Sequence, residues 1–160
     1  MSYERRNVKL VSSLSLSALS LSVGFSATAN DQPSTLVVVS YETVTVNATN
    51  PVDDYWVINR GRLISDGASI GSLTATNGLL TIKNDSVVNG GVMATQGSVV
   101  SVADSAISNS SSFGLVVSQG SSGMMTNSSV SGAGTGLSVT DKSEFTIVNS
   151  KVSGMEHGVG

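Results

Sequence analysis

The 160-residue sequence contains no cysteine, two prolines, one histidine and only 4% aromatic residues. Charged residues make up 12% of the chain, against about 25% in an average soluble domain. Without cysteine no disulfide can form, so backbone pairing and packing have to hold the chain together. Because aromatic side chains are also scarce, the core has to consist of small aliphatic residues.

Small polar and β-branched residues replace the missing types, together with 17 glycines. Valine and threonine suit the pleated surface of a strand, whereas serine, asparagine and glycine suit turns. The composition therefore favours strands over helices and predicts an all-β fold.

The first 29 residues have the pattern of an export signal. A basic start with a net charge of +2 is formed by Glu4, Arg5, Arg6 and Lys9. The serine-rich apolar stretch over residues 10–25 is shorter than the about 20 mostly apolar residues that a bilayer span needs. The motif "ATA" ends at Ala29, so we predict a signal peptide over residues 1–29, cleaved between Ala29 and Asn30. The paired arginines leave both general and twin-arginine export open.

The remaining 131 residues would carry five basic and ten acidic side chains, a formal charge of −5. Nucleic-acid binding depends on basic side chains that neutralise phosphates, and no basic stripe runs through this sequence. Nucleic acid is therefore not an expected partner.

A recurring phrase shows that the chain is built from repeats. "VADSAIS" at 102–108 returns as "MTNSSVS" at 125–131 and as "IVNSKVS" at 147–153. One aligned column holds Asp85, Asp104, Asn127 and Asn149, and the next holds Ser86, Ser105, Ser128 and Ser150. An apolar column two positions further on holds Val88, Ile107, Val130 and Val152. The spacings of 19, 23 and 22 residues indicate a unit of about 20 residues.

A second block runs in phase with the first. Glycines at 91, 114, 136 and 158 each precede an apolar residue, namely Val92, Leu115, Leu137 and Val159. Apolar pairs separated by one residue stand upstream of the first block, for example Leu80 with Ile82 and Val100 with Val102. This alternation has the period of a strand, and residues 62–78 form a degenerate first unit.

A period near 20 with short strands is typical of a solenoid, in which no unit can bury its apolar face alone. We predict a parallel β-helix with coils over residues 59–160. An internal stack is expected at Val88, Ile107, Val130 and Val152, and a corner ladder at Asp85, Asp104, Asn127 and Asn149. The motifs of leucine-rich repeats and calcium-binding rolls are missing, and a β-sandwich does not account for in-phase columns.

Residues 30–58 stand outside the repeat. The phrases "STLVVVS" and "TVTVN" predict two strands, and "NPVDDYWVIN" predicts a turn followed by a third. Since the open end of a solenoid exposes strand edges and core, we predict that this segment is an amino-terminal cap.

An export signal, a cap and cysteine-free coils rich in serine, threonine, asparagine and glycine resemble the passenger domain of a pertactin-type autotransporter. The phrases that carry the resemblance are "VSVADSAISNSSSFGLVVSQGS" and "FTIVNSKVSGMEHGVG", within residues 59–160. The resemblance implies a right-handed β-helix, exported by a Gram-negative cell to its surface or medium and often used for adhesion. It also implies a carboxy-terminal translocator β-barrel.

The sequence departs from that family in two ways. Gly160 ends the chain just after a coil begins, with no barrel region, so we expect a truncated passenger. The nearest phrase to the Arg-Gly-Asp tripeptide of some members is "RGR" at 60–62.

Three functions compete at this point: surface display or adhesion, a polysaccharide-acting lyase or hydrolase, and a protease. A polysaccharide-acting enzyme needs paired carboxylates, or a calcium site beside a basic residue. Asp85 and Asp104 share a column, but amides continue it, which favours a structural corner over a catalytic pair. Asp53 and Asp54 are interpreted as solvated residues of a bend. A fragment of a polysaccharide-acting enzyme, with its active site outside this segment, stays the alternative.

The protease interpretation lacks its residues, because His157 is the only histidine and no nucleophile motif surrounds any serine. His157 is interpreted as part of a turn, Tyr55 and Trp56 as cap packing, and Met124 and Met125 as core filling. Four sites fit the N-glycosylation pattern, which a chain of this composition also produces by chance: Asn47, Asn84, Asn109 and Asn127. We predict a surface protein that is not an enzyme, with no catalytic, cofactor or metal site and an unidentified host or surface ligand.

Overall fold

The computed structural model describes residues 9–10, 35–38, 40–154 and 157–159. Over these ranges the chain forms short strands joined by tight corners. No helix in the described ranges is long and apolar enough to cross a membrane. All pairings between the named strands are parallel, and each strand pairs with its equivalent one coil further along. The described chain is therefore a solenoid.

Three sheets run along the solenoid axis, and a complete coil contributes one strand to each. Sheet 1 contains β1 (Lys9–Leu10), β2 (Thr35–Val38), β4 (Asp54–Ile58), β7 (Leu73–Thr76), β10 (Val92–Thr95), β13 (Leu115–Val117), β16 (Thr135–Val139) and β19 (His157–Val159). Sheet 2 contains β3 (Thr43–Asn47), β5 (Arg62–Asp66), β8 (Leu79–Lys83), β11 (Val99–Ala103), β14 (Ser122–Thr126) and β17 (Glu144–Val148). Sheet 3 contains β6 (Ser69–Ile70), β9 (Val87–Val88), β12 (Ala106–Asn109), β15 (Ser129–Gly132) and β18 (Lys151–Gly154). The predicted parallel β-helix with coils of about 20 residues is confirmed.

The alternation of side chains decides which residues form the core. In β11, Val100 and Val102 are buried, whereas Val99 is exposed. Leu80 and Ile82 lie in register with that buried pair one coil earlier and are buried too. Successive residues of a strand face opposite sides of the sheet, so the alternating apolar residues of each strand face the core and the residues between them face outward.

The interior consists of aliphatic columns that continue from coil to coil. Val88, Ile107, Val130 and Val152 lie in one register column of sheet 3. The first three are at most 1% exposed, and Val152 packs half-buried against the same core. In sheet 1, the apolar residues of the second block form the corresponding buried column with Val92, Leu115 and Leu137, and Val159 is paired in register with Leu137. The register thus agrees with the alignment made from the repeats.

One column position contains a glycine because its neighbours in the adjacent coils leave no space for a side chain. Gly123 lies between Val100 and Phe145, and a Cβ atom on it would lie 2.5 Å from the Val100 carbonyl oxygen and 2.7 Å from the Phe145 ring. Two positions on, Met125 is fully buried, whereas its neighbour Met124 is 48% exposed. The prediction that both methionines fill the core is therefore wrong for Met124, since only one of two adjacent strand residues can face inward.

The strands predicted as a cap are part of the coil stack. β2 pairs with β4, and β3 pairs with β5, in the same parallel arrangement as the later strands. In this first coil, residues 48–53 connect β3 of sheet 2 directly to β4 of sheet 1. Later coils have a strand of sheet 3 at this position. The parallel pairing thus continues across the predicted boundary between residues 58 and 59, and the role of residues 30–58 as an amino-terminal cap stays a prediction.

The predicted signal peptide falls largely outside the described residues, as does its cleavage site between Ala29 and Asn30. Within residues 1–29, only Lys9 and Leu10 are described, and they pair with Leu36 and Val37. The signal peptide stays a prediction.

Two adjacent valines provide a test of the core assignment. Val88 is fully buried in the sheet 3 column, and Val87 is 38% exposed on the opposite face. Val88→Ala should lower the free energy of unfolding by about 2 kcal/mol, because it removes buried methyl groups and leaves a cavity. Val87→Ala should change it by less than about 0.5 kcal/mol. Urea denaturation measures both, and equal losses would contradict the assignment.

Tyr55 gives a second test at alkaline pH. Burial, together with the nearby Asp53 carboxylate, raises the pKa of Tyr55 to about 12 from the usual 10.0. The unfolded chain loses this proton first, so the free energy of unfolding should fall as the pH rises from 10 toward 12. Below pH 10 this group should have no effect.

Tyr55→Phe should remove that component of the alkaline decline, whereas Tyr41→Phe, at an exposed tyrosine, should retain it. Urea denaturation of the three proteins in steps between pH 9 and pH 12 measures the difference. An unchanged decline in Tyr55→Phe would show that another group is responsible.

Candidate functional site

The corner between sheets 2 and 3 is made by the predicted acid and amide column. Its members have positive φ angles of 61°, 47°, 49° and 46°, at Asp85, Asp104, Asn127 and Asn149 respectively. Gly67 stands at this corner in an earlier coil with φ 65°. The left-handed conformation is unfavourable for most residues but is tolerated by asparagine, aspartate and glycine. The residue types of this corner ladder are therefore explained by the turn itself.

The serine beside each member of the ladder connects one coil to the next. The Ser128 hydroxyl accepts a hydrogen bond from the Ser105 N–H at 3.1 Å and donates to the Thr126 carbonyl oxygen at 2.7 Å. The Ser128 N–H in turn donates to the Ser150 hydroxyl at 3.0 Å. Ser128 is buried. The hydroxyl thus satisfies a backbone N–H at the point where the chain leaves the sheet.

A second serine ladder lies at the corner between sheets 1 and 2. The N–H groups of Gly78, Ser98 and Ser121 each donate, at 3.1 Å, to a serine hydroxyl one coil further along. Residues with positive φ precede this ladder too, including Asn77, Gln96, Gln119 and Asp141. The sequence analysis missed this corner because its turn residue changes type from coil to coil. The serines at 98, 121 and 143 were the available signal.

A shallow groove of about 690 Å³ follows the first corner. It is lined by the ladder residues, their serines and Lys151. The Asp85 N–H donates to the Asp104 carbonyl oxygen at 2.8 Å, so the two aspartates do lie on adjacent coils. The Asn127 amide donates to the Asp104 carboxylate at 3.3 Å. Among the described residues no group of three or more acidic, histidine or cysteine side chains could hold a metal ion.

Asp53 and Asp54 fasten a loop to the neighbouring coil. The Asp54 carboxylate accepts from the Ser72 N–H at 2.7 Å, and the Asp53 carbonyl oxygen accepts from the Gly71 N–H at 3.0 Å. Asp53 is buried. The interpretation of this pair as solvated residues of a bend is therefore wrong, because both residues make bonds across the coils.

Tyr55 and Trp56 lie on opposite faces of β4. Tyr55 is in the core, as expected for packing, but Trp56 is 46% exposed, and its indole N–H donates to the Thr76 hydroxyl at 3.4 Å. The prediction of cap packing is therefore wrong for Trp56. Tyr55 and Trp56 are adjacent in one strand, so if one of them faces the core, the other must face outward.

Trp56 belongs to an exposed apolar patch that the sequence analysis missed. In register with it, one to three coils on, lie Thr74, Met93 and Val116. Phe113, on the connection before β13, lies beside this column, and a shallow depression of about 240 Å³ is lined by Met93, Phe113, Val116 and Thr74. We call these five residues the sheet 1 patch. The signal in the sequence was a large apolar residue at an outward strand position, as at Trp56 and Met93.

His157 lies in β19, where it pairs with Thr135 of β16. The interpretation of His157 as part of a turn is wrong, because the chain has re-entered sheet 1 at this point.

Three parallel sheets with stacked corners define the class of parallel β-helices. A family comparison specifies it further: the model of the right-handed β-helix region matches residues 53–160, which is 108 of the 160 residues. The chain belongs to the right-handed β-helix family. No curated protein and no solved structure shows significant similarity to it.

The serine ladder can be tested with two neighbouring serines. Ser128→Ala should lower the free energy of unfolding by about 1 to 3 kcal/mol, because the buried N–H of Ser105 loses its acceptor. Ser129→Ala, at the exposed first residue of β15, should be nearly neutral. Chemical denaturation gives both values, and hydrogen exchange should show faster exchange at the Ser105 amide in the first variant only. Full protection of that amide in Ser128→Ala would contradict the role of the ladder.

Proposed function

We propose that the chain is the exported passenger of an autotransporter, displayed at the surface of a Gram-negative cell or released from it, and that it binds a host or other surface. In the full-length protein a translocator β-barrel completes the export machinery. The export pattern of the first 29 residues and the resemblance of the coils support this proposal. Binding, and not catalysis, is its function.

The observation that carries the proposal is the contrast between the two surfaces. At the corner groove, the carboxylates stand in positions that the turn requires, and amides replace them in the later coils. In the sheet 1 patch, by contrast, Trp56, Met93 and Phe113 are exposed although aromatic residues are only 4% of the chain. Large exposed apolar side chains next to hydroxyl groups are typical of binding surfaces.

The corner groove favours one alternative, a fragment of a secreted polysaccharide-acting enzyme. Asp85 and Asp104 are neighbours there, and Lys151 lines the same groove. Paired carboxylates perform acid and base catalysis on glycosidic bonds. If the groove were catalytic, Asp104→Asn would abolish cleavage while the corner kept its turn, since asparagine occupies the same position one coil later.

A pair of matched triple variants tests the binding proposal. One combines Trp56→Ala, Met93→Ala and Phe113→Ala on the sheet 1 patch. The control combines Val87→Ala, Val99→Ala and Met124→Ala, which are similarly exposed on sheets 2 and 3. Labelled exported protein is applied to epithelial-cell monolayers and to immobilised collagen and fibronectin. The patch variant should bind about tenfold more weakly, and the control should bind like the wild type.

The same proteins are tested for cleavage of polygalacturonate and casein, where no release above background is expected. Equal binding by both triple variants would contradict the assignment of the patch. Polysaccharide cleavage that disappears in Asp104→Asn would replace the binding proposal by the enzyme.

A further inference from the structure

The four asparagines that fit the N-glycosylation pattern occupy different environments. Asn84 and Asn127 lie in the corner between sheets 2 and 3, Asn109 ends β12, and Asn47 ends β3. Glycosyl transfer uses the side-chain nitrogen Nδ2, so its hydrogen bonds decide which asparagine is available.

At the corner, Nδ2 is already bound to carboxylates. Asn84 Nδ2 donates to Asp66 Oδ1 at 2.7 Å, and Asn127 Nδ2 donates to Asp104 Oδ1 at 3.3 Å. The Asn84 pattern also ends in Ser86, whose hydroxyl is buried and donates to the Lys83 carbonyl oxygen. A transferase could use neither site without breaking a hydrogen bond at this corner.

Asn109 has an intermediate arrangement. Its Oδ1 accepts from both the N–H and the hydroxyl of Ser111 at 2.9 Å. Its Nδ2, however, donates to the Gly90 carbonyl oxygen at 3.2 Å, and the residue is half-buried. This asparagine holds the connection to the next coil in place.

Asn47 differs from the other three. Its Oδ1 accepts from the N–H of Thr49 at 2.9 Å and from the Thr49 hydroxyl at 2.7 Å. Among the described residues nothing accepts a hydrogen bond from Nδ2, and Asn47, Ala48 and Thr49 are all exposed. The loop that follows, residues 48–53, occupies the position of a sheet 3 strand, so a large group there displaces no strand.

We propose that Asn47 is an N-glycosylation site. Nδ2 attacks the anomeric carbon of a sugar activated by a phosphate leaving group. The nitrogen–carbon bond forms, the carbon–oxygen bond to phosphate breaks, and Nδ2 loses a proton to the transferase. The hydroxyl and N–H of Thr49 hold Oδ1, which orients the carboxamide with Nδ2 available. This inference depends on export of the chain and not on its binding function.

The test uses the folded chain, an N-glycosyltransferase specific for Asn-x-Ser/Thr, and its nucleotide-activated hexose. Site occupancy is followed over time by mass spectrometry of peptides. Asn47 should be modified about tenfold faster than Asn84 or Asn127, because transfer at either of these first breaks a hydrogen bond to a carboxylate. Asn109 should fall between them. The chain is also unfolded in urea, and the transferase is added directly after the urea is diluted, before the chain refolds. Under these conditions the glycosylation rates of the four asparagines should become similar.

Two further variants separate structure from the preference of the transferase for threonine. Thr49→Val should abolish modification of Asn47, and Thr49→Ser should retain it. Ser129→Thr places a threonine in the Asn127 pattern, and in the folded chain Asn127 should still be modified about tenfold more slowly than Asn47. Equal rates at Asn47 and Asn127 in the folded protein would overturn the proposal. So would an Asn47 that is modified only in the unfolded chain.

Discussion

The fold depends on how backbone N–H groups are satisfied where the chain leaves a sheet. Within a strand, the neighbouring coil supplies a backbone carbonyl as the partner, and the first residue of a corner still finds one, as Asp104 N–H does at Thr126. The N–H of the next residue, such as Ser105, donates to a serine hydroxyl instead. Buried serine hydroxyls fill the gap, each accepting from one coil and, in several cases, donating within its own. Within the described ranges every buried side-chain nitrogen or oxygen has a hydrogen-bond partner. A chain without disulfides can therefore make sharp corners and remain paired throughout.

This constraint explains the composition. The two corners with serine ladders each need a residue that accepts a left-handed conformation and a small hydroxyl that fits inside. Serine therefore recurs at both, and asparagine, aspartate or glycine at the corner between sheets 2 and 3. A strand of sheet 2 such as β11 turns two aliphatic residues inward, Val100 and Val102, whereas a strand of sheet 3 such as β12 turns one, Ile107. The buried residues of the described chain include no lysine, arginine or glutamate, and aromatic rings are accommodated at particular places: Tyr55 is buried in sheet 1, and the Phe145 ring lies against Gly123, which has no side chain.

The repeat alignment predicted the sheet 3 stack and the corner ladder residue by residue, because both follow from positions that recur in every coil. The strands of the first coil were predicted one by one, at Thr35–Val38, Thr43–Asn47 and Asp54–Ile58, but their place in the stack was not, since residues 48–53 break the repeat pattern. The second corner was hidden because any residue that tolerates positive φ can occupy it. The sheet 1 patch was missed for a different reason: outward positions are free to vary, so no repeat marks Trp56 or Met93. Only the alternation of inward and outward residues along each strand identifies Trp56 and Met93 as exposed.

The three corners differ in how constant their length is. The corner with the Asx–Ser ladder takes two residues in most coils, whereas the connection from sheet 3 back to sheet 1 varies, and before β13 it spans residues 110–114. Asn109 holds that longer connection through bonds to Ser111, Ser112 and Gly90, so the added residues leave the register of sheet 1 unchanged. Insertions and substitutions in the connection from sheet 3 to sheet 1 can therefore accumulate during evolution without altering the core. Foreign peptide segments could be inserted in the same connection, with the solenoid as a rigid scaffold that presents them.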